Sequence, residues 1–548
     1  MRRAMRAALI VGVLMAIAPI ATAQPTAPDG AGSDAGSAAA PTAATEAAPP
    51  PPAAVVPVVV VEPVPAQQPA AAGSATGSGT QFATKPPDQR VQTTDLVSLG
   101  SDTGFRFGSY GRVTAGDDLR GGAPEKILVG EVGPRTVEDN YLELDMSYGF
   151  VTQRGVKLRP VVTLALEGTL FHDTGVFDAQ PAIRNLFLDA QVNEHVTLWV
   201  GSRMYRGDDI YLFDYWPLDN QNTVGAGAFY HTHSKPSDSI DLAIHAGVNR
   251  LNNPLCATAP TIGNCFEFQQ VAVANPEQGE AIVEQVNRQH LVASATASYL
   301  TDTNPAHLDL KLKVHGELHG LPSATFLRDD GSLQPLPSDT GYLIGAEVGM
   351  FGLAPASAGY RRHLNLFARY AKGIAAFDPL AAPSSFGPDL KTTRASELSF
   401  GASGNWDSER GNLMIAALSR RFIDATGQGN FNDGWEYAID ARPLARFAPD
   451  WFAGADISYE ARFPRGINPF TERAEDPAVF QVAPMVVFSP MGPSGYDRPQ
   501  IRFVYSAANL NQGALDDYVP GDVRHVRPWE YYLGVQAEWW FNSSSYSR

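Results

Sequence analysis

The sequence predicts an all-β fold: a transmembrane antiparallel β-barrel of about 18 strands behind a disordered N-terminal extension. Three observations carry that prediction. The chain opens on an export signal, its later segments alternate apolar and polar residues with charge on the polar face, and aromatic residues gather at the ends of those segments.

The leader comes first. Arg2, Arg3 and Arg6 precede an apolar run from Ala7 to Ile20, and Ala21-Thr22-Ala23 forms a small-x-small cleavage site before Gln24. Residues 1–23 therefore read as a signal peptide to be set aside from the fold. No later stretch approaches the ~18–20 uninterrupted apolar residues that a membrane-crossing helix needs. An exported chain of this kind enters a membrane only as a closed barrel, in which every backbone group pairs between strands.

Residues 24–100 are mostly Ala, Pro, Gly, Ser and Thr, with Pro49 to Pro52 and a Pro/Val stretch from Val55 to Pro65. That composition buries too little apolar area to offset the entropy of ordering. It reads as a disordered or polyproline extension on the periplasmic side, with the cell wall as a partner to consider.

Residues 101–541 read as the barrel. His307-Leu308-Asp309-Leu310-Lys311-Leu312-Lys313-Val314-His315-Gly316-Glu317 alternates almost without fault, and its charged face must line water because charge is expensive in hydrocarbon. Tyr141 to Met146 and Leu398 to Ala402 repeat the theme. The closing segment Tyr531 to Phe541 places Tyr531, Leu533, Val535, Ala537, Trp539 and Phe541 on one face, and Gly534, Gln536 and Glu538 on the other. A soluble β-sandwich also alternates, strand by strand; export, aromatic ends and charged polar faces together favour the barrel. At roughly 24 residues per strand and connection, Phe105 to Phe541 holds about 18 strands, a diameter that leaves an aqueous lumen. Residues 542–548 form a polar tail.

Composition excludes several classes. The net charge of −17, more negative still once the leader is removed, argues against nucleic-acid binding. Cys256 and Cys265, the two cysteines, sit in a Pro/Asn/Gly-containing stretch and read as a loop disulfide in an oxidising periplasm rather than a C-x-x-C redox pair. Gly-x-Ser-x-Gly, P-loop and paired Cys/His zinc spacings are missing, and spacing reveals no nucleophile–base pair. The chain therefore reads as neither an enzyme nor a cofactor protein. His231-Thr232-His233 puts two imidazoles on one strand face, without further ligand candidates beside them.

At particular residues the chain resembles the maltoporin family of sugar-selective porins. Phe107-Gly108-Ser109-Tyr110-Gly111-Arg112 is similar to that family's opening Gly-Tyr-Ala-Arg, and Asn140-Tyr141-Leu142-Glu143-Leu144 to its Thr-Tyr-Ala-Glu-Leu. Pro181-Ala182-Ile183-Arg184 is similar to Pro-Ala-Phe-Arg. Trp199 to Tyr205, leading to Asp209, Asp214, Tyr215 and Trp216, resembles the strand entering the family's inward-folded third loop. Tyr496-Asp497-Arg498-Pro499-Gln500-Ile501-Arg502 and Leu533 to Phe541 are similar to its last two strands.

The resemblance implies an outer-membrane homotrimer in contact with lipid, passing carbohydrate by facilitated diffusion. It implies an aromatic slide of Tyr110, Tyr141, Tyr496 and Trp540. It further implies a constriction and polar track of Arg112, Arg135, Glu143, Arg184, Asp209, Asp214 and Trp216. Sugar rings have apolar faces that stack on aromatic rings and hydroxyl rims that exchange hydrogen bonds with charged groups. Period-2 parity, without the family, also puts Tyr110, Tyr141, Tyr496 and Trp540 on the wet face, if no bulge intervenes.

Other readings stay open. The aromatic residues could be interfacial girdle residues, Trp216 a packed loop aromatic, and the arginines general lumen charges. A general or anion-selective porin, or a barrel serving as adhesin or cell-wall anchor, are the alternatives. The chain also departs from the family pattern. Gly207 stands where the family's loop has an arginine, so Arg206 is expected either to pair with Asp208 or to substitute from its own position. Phe367 is the candidate for a middle slide ring, and Phe171 or Phe177 for a latch into a neighbouring subunit.

Overall fold

Alternating sequence becomes a barrel wall because each strand must hide two incompatible faces at once. The structure, a computed structural model, describes residues 103–171, 178–235, 238–249, 268–275, 279–286, 288–301, 309–327, 332–352, 362–377, 383, 385–427, 429–431, 433–518 and 521–542. The leader, the Ala/Pro-rich extension, Cys256, Cys265, Phe177 and the tail after Asn542 lie outside them.

The strands run in chain order as β1 (Gly104–Asp117), β2 (Tyr141–Val151), β3 (Lys157–Thr169), β4 (Asp178–Gln191), β5 (Val196–Arg206), β6 (Asn220–Thr232) and β7 (Asp238–Asn249). The hairpin β8 (Phe268–Asn275) and β9 (Gly279–Val286) precedes β10 (His290–Thr301) and β11 (Asp309–Leu321). A second small hairpin, β12 (Ala324–Leu327) and β13 (Leu333–Leu336), precedes β14 (Asp339–Phe351). Then follow β15 (Arg362–Gly373), β16 (Ser396–Ser408), β17 (Gly411–Ile423), β18 (Gly434–Ala448), β19 (Trp451–Pro464), β20 (Ala478–Phe488), β21 (Gln500–Leu510) and β22 (Trp529–Phe541).

Eighteen of these form one sheet, and the two hairpins pair only with themselves. Each wall strand pairs antiparallel with the next; β7 pairs with β10 and β11 with β14. The first strand pairs with the last, Tyr110 opposite Trp540 and Arg112 opposite Glu538, which closes the barrel and leaves the wall no free edge.

The wall is inside-out relative to a soluble protein. On β11, Lys311 and Lys313 are 1% and 2% exposed, whereas Leu312 and Val314 between and beside them are 51% and 54% exposed. Ile344, Phe400, Ile439, Phe480, Phe503 and Val535 continue the apolar exterior around the circumference. Aromatic residues ring both rims of this exterior. Phe105, Phe107, Tyr148, Phe150, Trp406 and Phe541 stand at one end, Tyr342, Tyr437, Phe463 and Trp529 at the other. These are the girdles expected where acyl chains meet headgroups, so the exposed aromatics and the inward ones are two separate sets.

Connections differ between the ends. At the end where β1 begins, 152–156, 192–195, 409–410 and 449–450 are tight turns; at the other, 118–140, 207–219, 374–395, 465–477 and 511–528 are long. Two of the long connections fold inward. Residues 118–140 bury Val129, Val132 and Arg135, and residues 207–219 bury Ile210 to Phe213, Trp216 and Leu218. The Arg135 amide donates to the Leu212 carbonyl at 3.0 Å, joining the two loops.

If the outer face of β11 meets hydrocarbon, Val314→Arg weakens folding into phospholipid vesicles by about 2–4 kcal/mol, the cost of an arginine near the bilayer midplane. Urea titration of vesicle-folded protein measures this, and an unchanged midpoint would place that face elsewhere.

Candidate functional site

The inward loop 207–219 organises the lumen, and its two sides differ in chemistry. Ile210, Leu212, Phe213 and Leu218 cluster with Phe367 on β15, Met414, Ala416 and Leu418 on β17, and Ala438 on β18. The loop is drawn into a compact turn by Ile210, whose amide donates to the Tyr215 carbonyl at 2.7 Å, while Tyr211 to Phe213 form one helical turn ending at Asp214 with φ 53°. Aspartate tolerates that left-handed conformation better than most residues.

Its base is tied to the wall by charge. Lys313 reaches both ends of the loop, Asp208 at 3.3 Å and Asp219 at 3.2 Å, and Lys311 binds Asp208 at 2.5 Å and Glu347 at 3.1 Å. This clamp accounts for Gly207. A Cβ there would meet the Asp219 carboxylate at 1.5 Å and the Lys313 ammonium at 2.6 Å, so an arginine does not fit. The expected pairing of Arg206 with Asp208 is not what forms. Arg206 lies 3.7 Å over the Trp216 ring and donates to Asn220 at 3.0 Å, because the lysines already hold Asp208.

On its other side the loop completes a line of rings. Tyr141 on β2 lies 5.9 Å from Tyr110 on β1, and Tyr110 stacks 6.4 Å from Trp540 on β22. Trp540 meets Tyr211 of the loop at 6.2 Å, and Tyr211 meets Tyr496 at 5.4 Å. Tyr496 continues to His363 at 5.7 Å and on to Phe351 at 6.0 Å. All four rings expected for the slide thus join one path.

Two details correct the sequence reading. Tyr496 arrives on the re-entrant segment 489–499, not on β21, which begins at Gln500; strand parity does not govern its direction. Phe367 anchors the inward loop, and His363, four residues earlier on the same face of β15, is the ring beside Tyr496. Tyr211, which bridges the two halves of the path, had no alternating context to mark it.

Charged groups line this path. Glu538 accepts from Arg135 at 3.2 Å, Arg498 at 2.7 Å, Arg502 at 2.6 Å and the Tyr211 hydroxyl at 2.8 Å. Glu138 binds Arg135 at 2.7 Å and Arg112 at 2.9 Å, and Asp214 lies 3.6 Å from Arg112. Arg184 binds Glu143 and the Tyr141 hydroxyl. Guanidiniums also cover rings: Arg498 stands 4.2 Å from the Trp540 centroid and Arg135 4.5 Å from that of Tyr211.

Of the expected track, Arg112, Arg135, Glu143, Arg184 and Asp214 therefore touch the ring path or its partners. Trp216 packs at the base of the loop beneath Arg206. Burial, reinforced by Asp214, pushes the Asp209 carboxyl on the loop up to about 7. Phe171 is exposed at the end of β3. His231 binds Asp241 at 2.5 Å and approaches His233 at 3.2 Å; among the described residues no group of three or more metal-ligating side chains converges.

The model of the LamB porin family matches residues 105–541. No curated protein matches the chain. Among solved structures, the outer membrane channel DcaP of Acinetobacter baumannii is similar at 10% identity and TM-score 0.39, covering 80% of this chain and 98% of that one. OccD3 (OpdP) of Pseudomonas aeruginosa is similar at 9% identity and TM-score 0.39, covering 83% and 99%.

Lys313→Met leaves two buried carboxylates short of a cation, at a cost of about 3–5 kcal/mol. It is expected to free the loop and raise single-channel conductance in planar bilayers; unchanged conductance would mean that other contacts hold the loop. Asp209 carries its charge above about pH 7 and loses it below. The ratio of cation to anion permeability, read from reversal potentials, should therefore fall as pH drops from 8 to 6, and should stay flat over that range in Asp209→Asn.

Proposed function

Because the chain belongs to the LamB porin family and forms an outer-membrane channel, we propose that it passes saccharides by facilitated diffusion. The observation that carries this reading is the unbroken ring path from Tyr141 through Tyr110, Trp540 and Tyr211 to Tyr496, bordered by arginine–carboxylate pairs. A pyranose presents apolar C–H faces that favour aromatic surfaces. Its hydroxyls exchange hydrogen bonds with ionised groups, which form stronger bonds than neutral ones. Successive weak sites let a ring advance without being trapped.

In this reading Tyr110, Tyr141, Tyr496 and Trp540 are slide rings, with Tyr211 joining them. Arg112, Arg135, Glu143, Arg184, Asp209 and Asp214 supply the polar track, and Trp216 braces the constriction. Arg498, 4.2 Å from the Trp540 centroid, puts a guanidinium beside the ring path where a sugar hydroxyl would pass. The passage involves no bond making or breaking and therefore no catalytic residue. The short-turn end, where β1 begins, faces the periplasm, as in bacterial barrels generally, and the cell wall is the proposed partner of the residues before β1. Three copies form the working assembly.

Addition of maltotriose to one side of a bilayer is expected to block ion current in a concentration-dependent way. Trp540→Ala should weaken that block by roughly tenfold, since a base-sized stacking contact contributes on the order of 1–3 kcal/mol. Current that ignores mono- and oligosaccharides would remove the saccharide reading and leave a general porin.

A further inference from the structure

We propose that the constriction favours saccharides bearing an acidic group, a uronate in the first instance, over neutral saccharides of equal size. The inference rests on the saccharide reading and names its substrate class. Four guanidiniums converge on two phenols of the ring path. Arg112 and Arg135 donate to the Tyr110 hydroxyl at 3.5 and 3.2 Å, and Arg502 donates to the Tyr211 hydroxyl at 3.2 Å, as does Arg498.

The carboxylates paired with these four are Glu538, Glu138 and Asp214, so one positive charge is left over. Asp209, also on the loop, holds its proton up to about 7 and so cancels that charge only in part at neutral pH. Arg442, behind Arg502, is balanced by Asp456 at 2.5 Å.

Donor geometry points the same way. Arg498 is filled on all three nitrogens by Glu538, Tyr211, Gly495 and Asp497. Among the described residues, by contrast, Arg112 uses only Nε and Nη1, and Arg135 and Arg502 only Nε and Nη2. Their remaining Nη groups meet no acceptor among the described residues, and Arg112, with 19% of its side chain exposed, is the most open of the three; Arg135 and Arg502 are 4% and 3% exposed behind it. A charged N–H donor forms a stronger bond with a carboxylate than with a hydroxyl.

The ring path supplies stacking for the sugar body, and the Nη donors beside it, that of Arg112 foremost, supply the anion contact. The attraction is local to this corner: Asp440, Asp456 and Glu460 on β18 and β19 also face inward, and an acidic ligand avoids them.

Block of ion current by trigalacturonate and by maltotriose, in 0.1 M and 1 M KCl, tests this in the intact channel. Trigalacturonate is expected to block at concentrations about tenfold lower than maltotriose in 0.1 M salt. That ratio should shrink in 1 M salt as charge is screened, and shrink again in Arg112→Gln. The salt series needs no variant, so a folding defect cannot mask the result. Equal or weaker block by trigalacturonate, with maltotriose still blocking, would overturn the acidic preference and keep the saccharide reading. Absence of block by either would overturn both. Block by citrate as strong as that by trigalacturonate would assign the corner to carboxylates irrespective of sugar.

Discussion

The pairing of β1 with β22 is the constraint on which everything else depends. An open sheet would present a row of unpaired amides and carbonyls to hydrocarbon, each costing several kcal/mol. Closure by nine residues of β1, Ser109 to Asp117, against Phe541 to Leu533 removes that edge and fixes which way every side chain points. Once the ring is closed, period-2 alternation sends leucine, valine and phenylalanine outward and lysine, glutamate and arginine inward. It also sets Tyr110 against Trp540 and Arg112 against Glu538, so the seam of the barrel is itself part of the functional path.

A lumen lined with this much charge has to manage its own electrostatics. Here most ionised groups are paired across neighbouring strands or between wall and loop. The Lys311–Lys313 clamp holds the constriction loop at its base, while the opposite side of that loop closes the arginine cluster around Glu538 through Tyr211. A single loop therefore links two ion networks on different parts of the wall. Its apolar side, packed on β15, β17 and β18, keeps the turn rigid between them. Rings, guanidiniums and carboxylates are held by one another before any ligand arrives, so little ordering cost falls on binding.

Much of this was legible in the sequence, because it depends on short-range periodicity. The alternation at Phe105 to Val113, Tyr141 to Met146, Asp309 to Glu317 and Leu533 to Phe541 specified the wall, its inward charges and the inward direction of Tyr110, Glu143 and Trp540. What was not legible depends on contacts between distant segments. Nothing local marks 118–140 as an inward loop; its position follows from Val129, Val132 and Val137 finding apolar patches on the inner wall. Tyr211 lies in a turn without alternation, and Tyr496 reaches the lumen by chain re-entry, which parity does not see. The exchange of partners between Arg206 and the two lysines follows from residues roughly a hundred positions apart. Gly207, which looked like a loss relative to the family pattern, marks the place where those lysines and Asp219 occupy the space.

A structure of the detergent-solubilised protein with a saccharide bound tests the central claim most directly. Pyranose rings are expected along the line from Trp540 through Tyr110 toward Tyr141, their polar edges turned to Arg112 and Glu138. Sugar density confined to the outer loops, or absent from the lumen at saturating ligand, would contradict it.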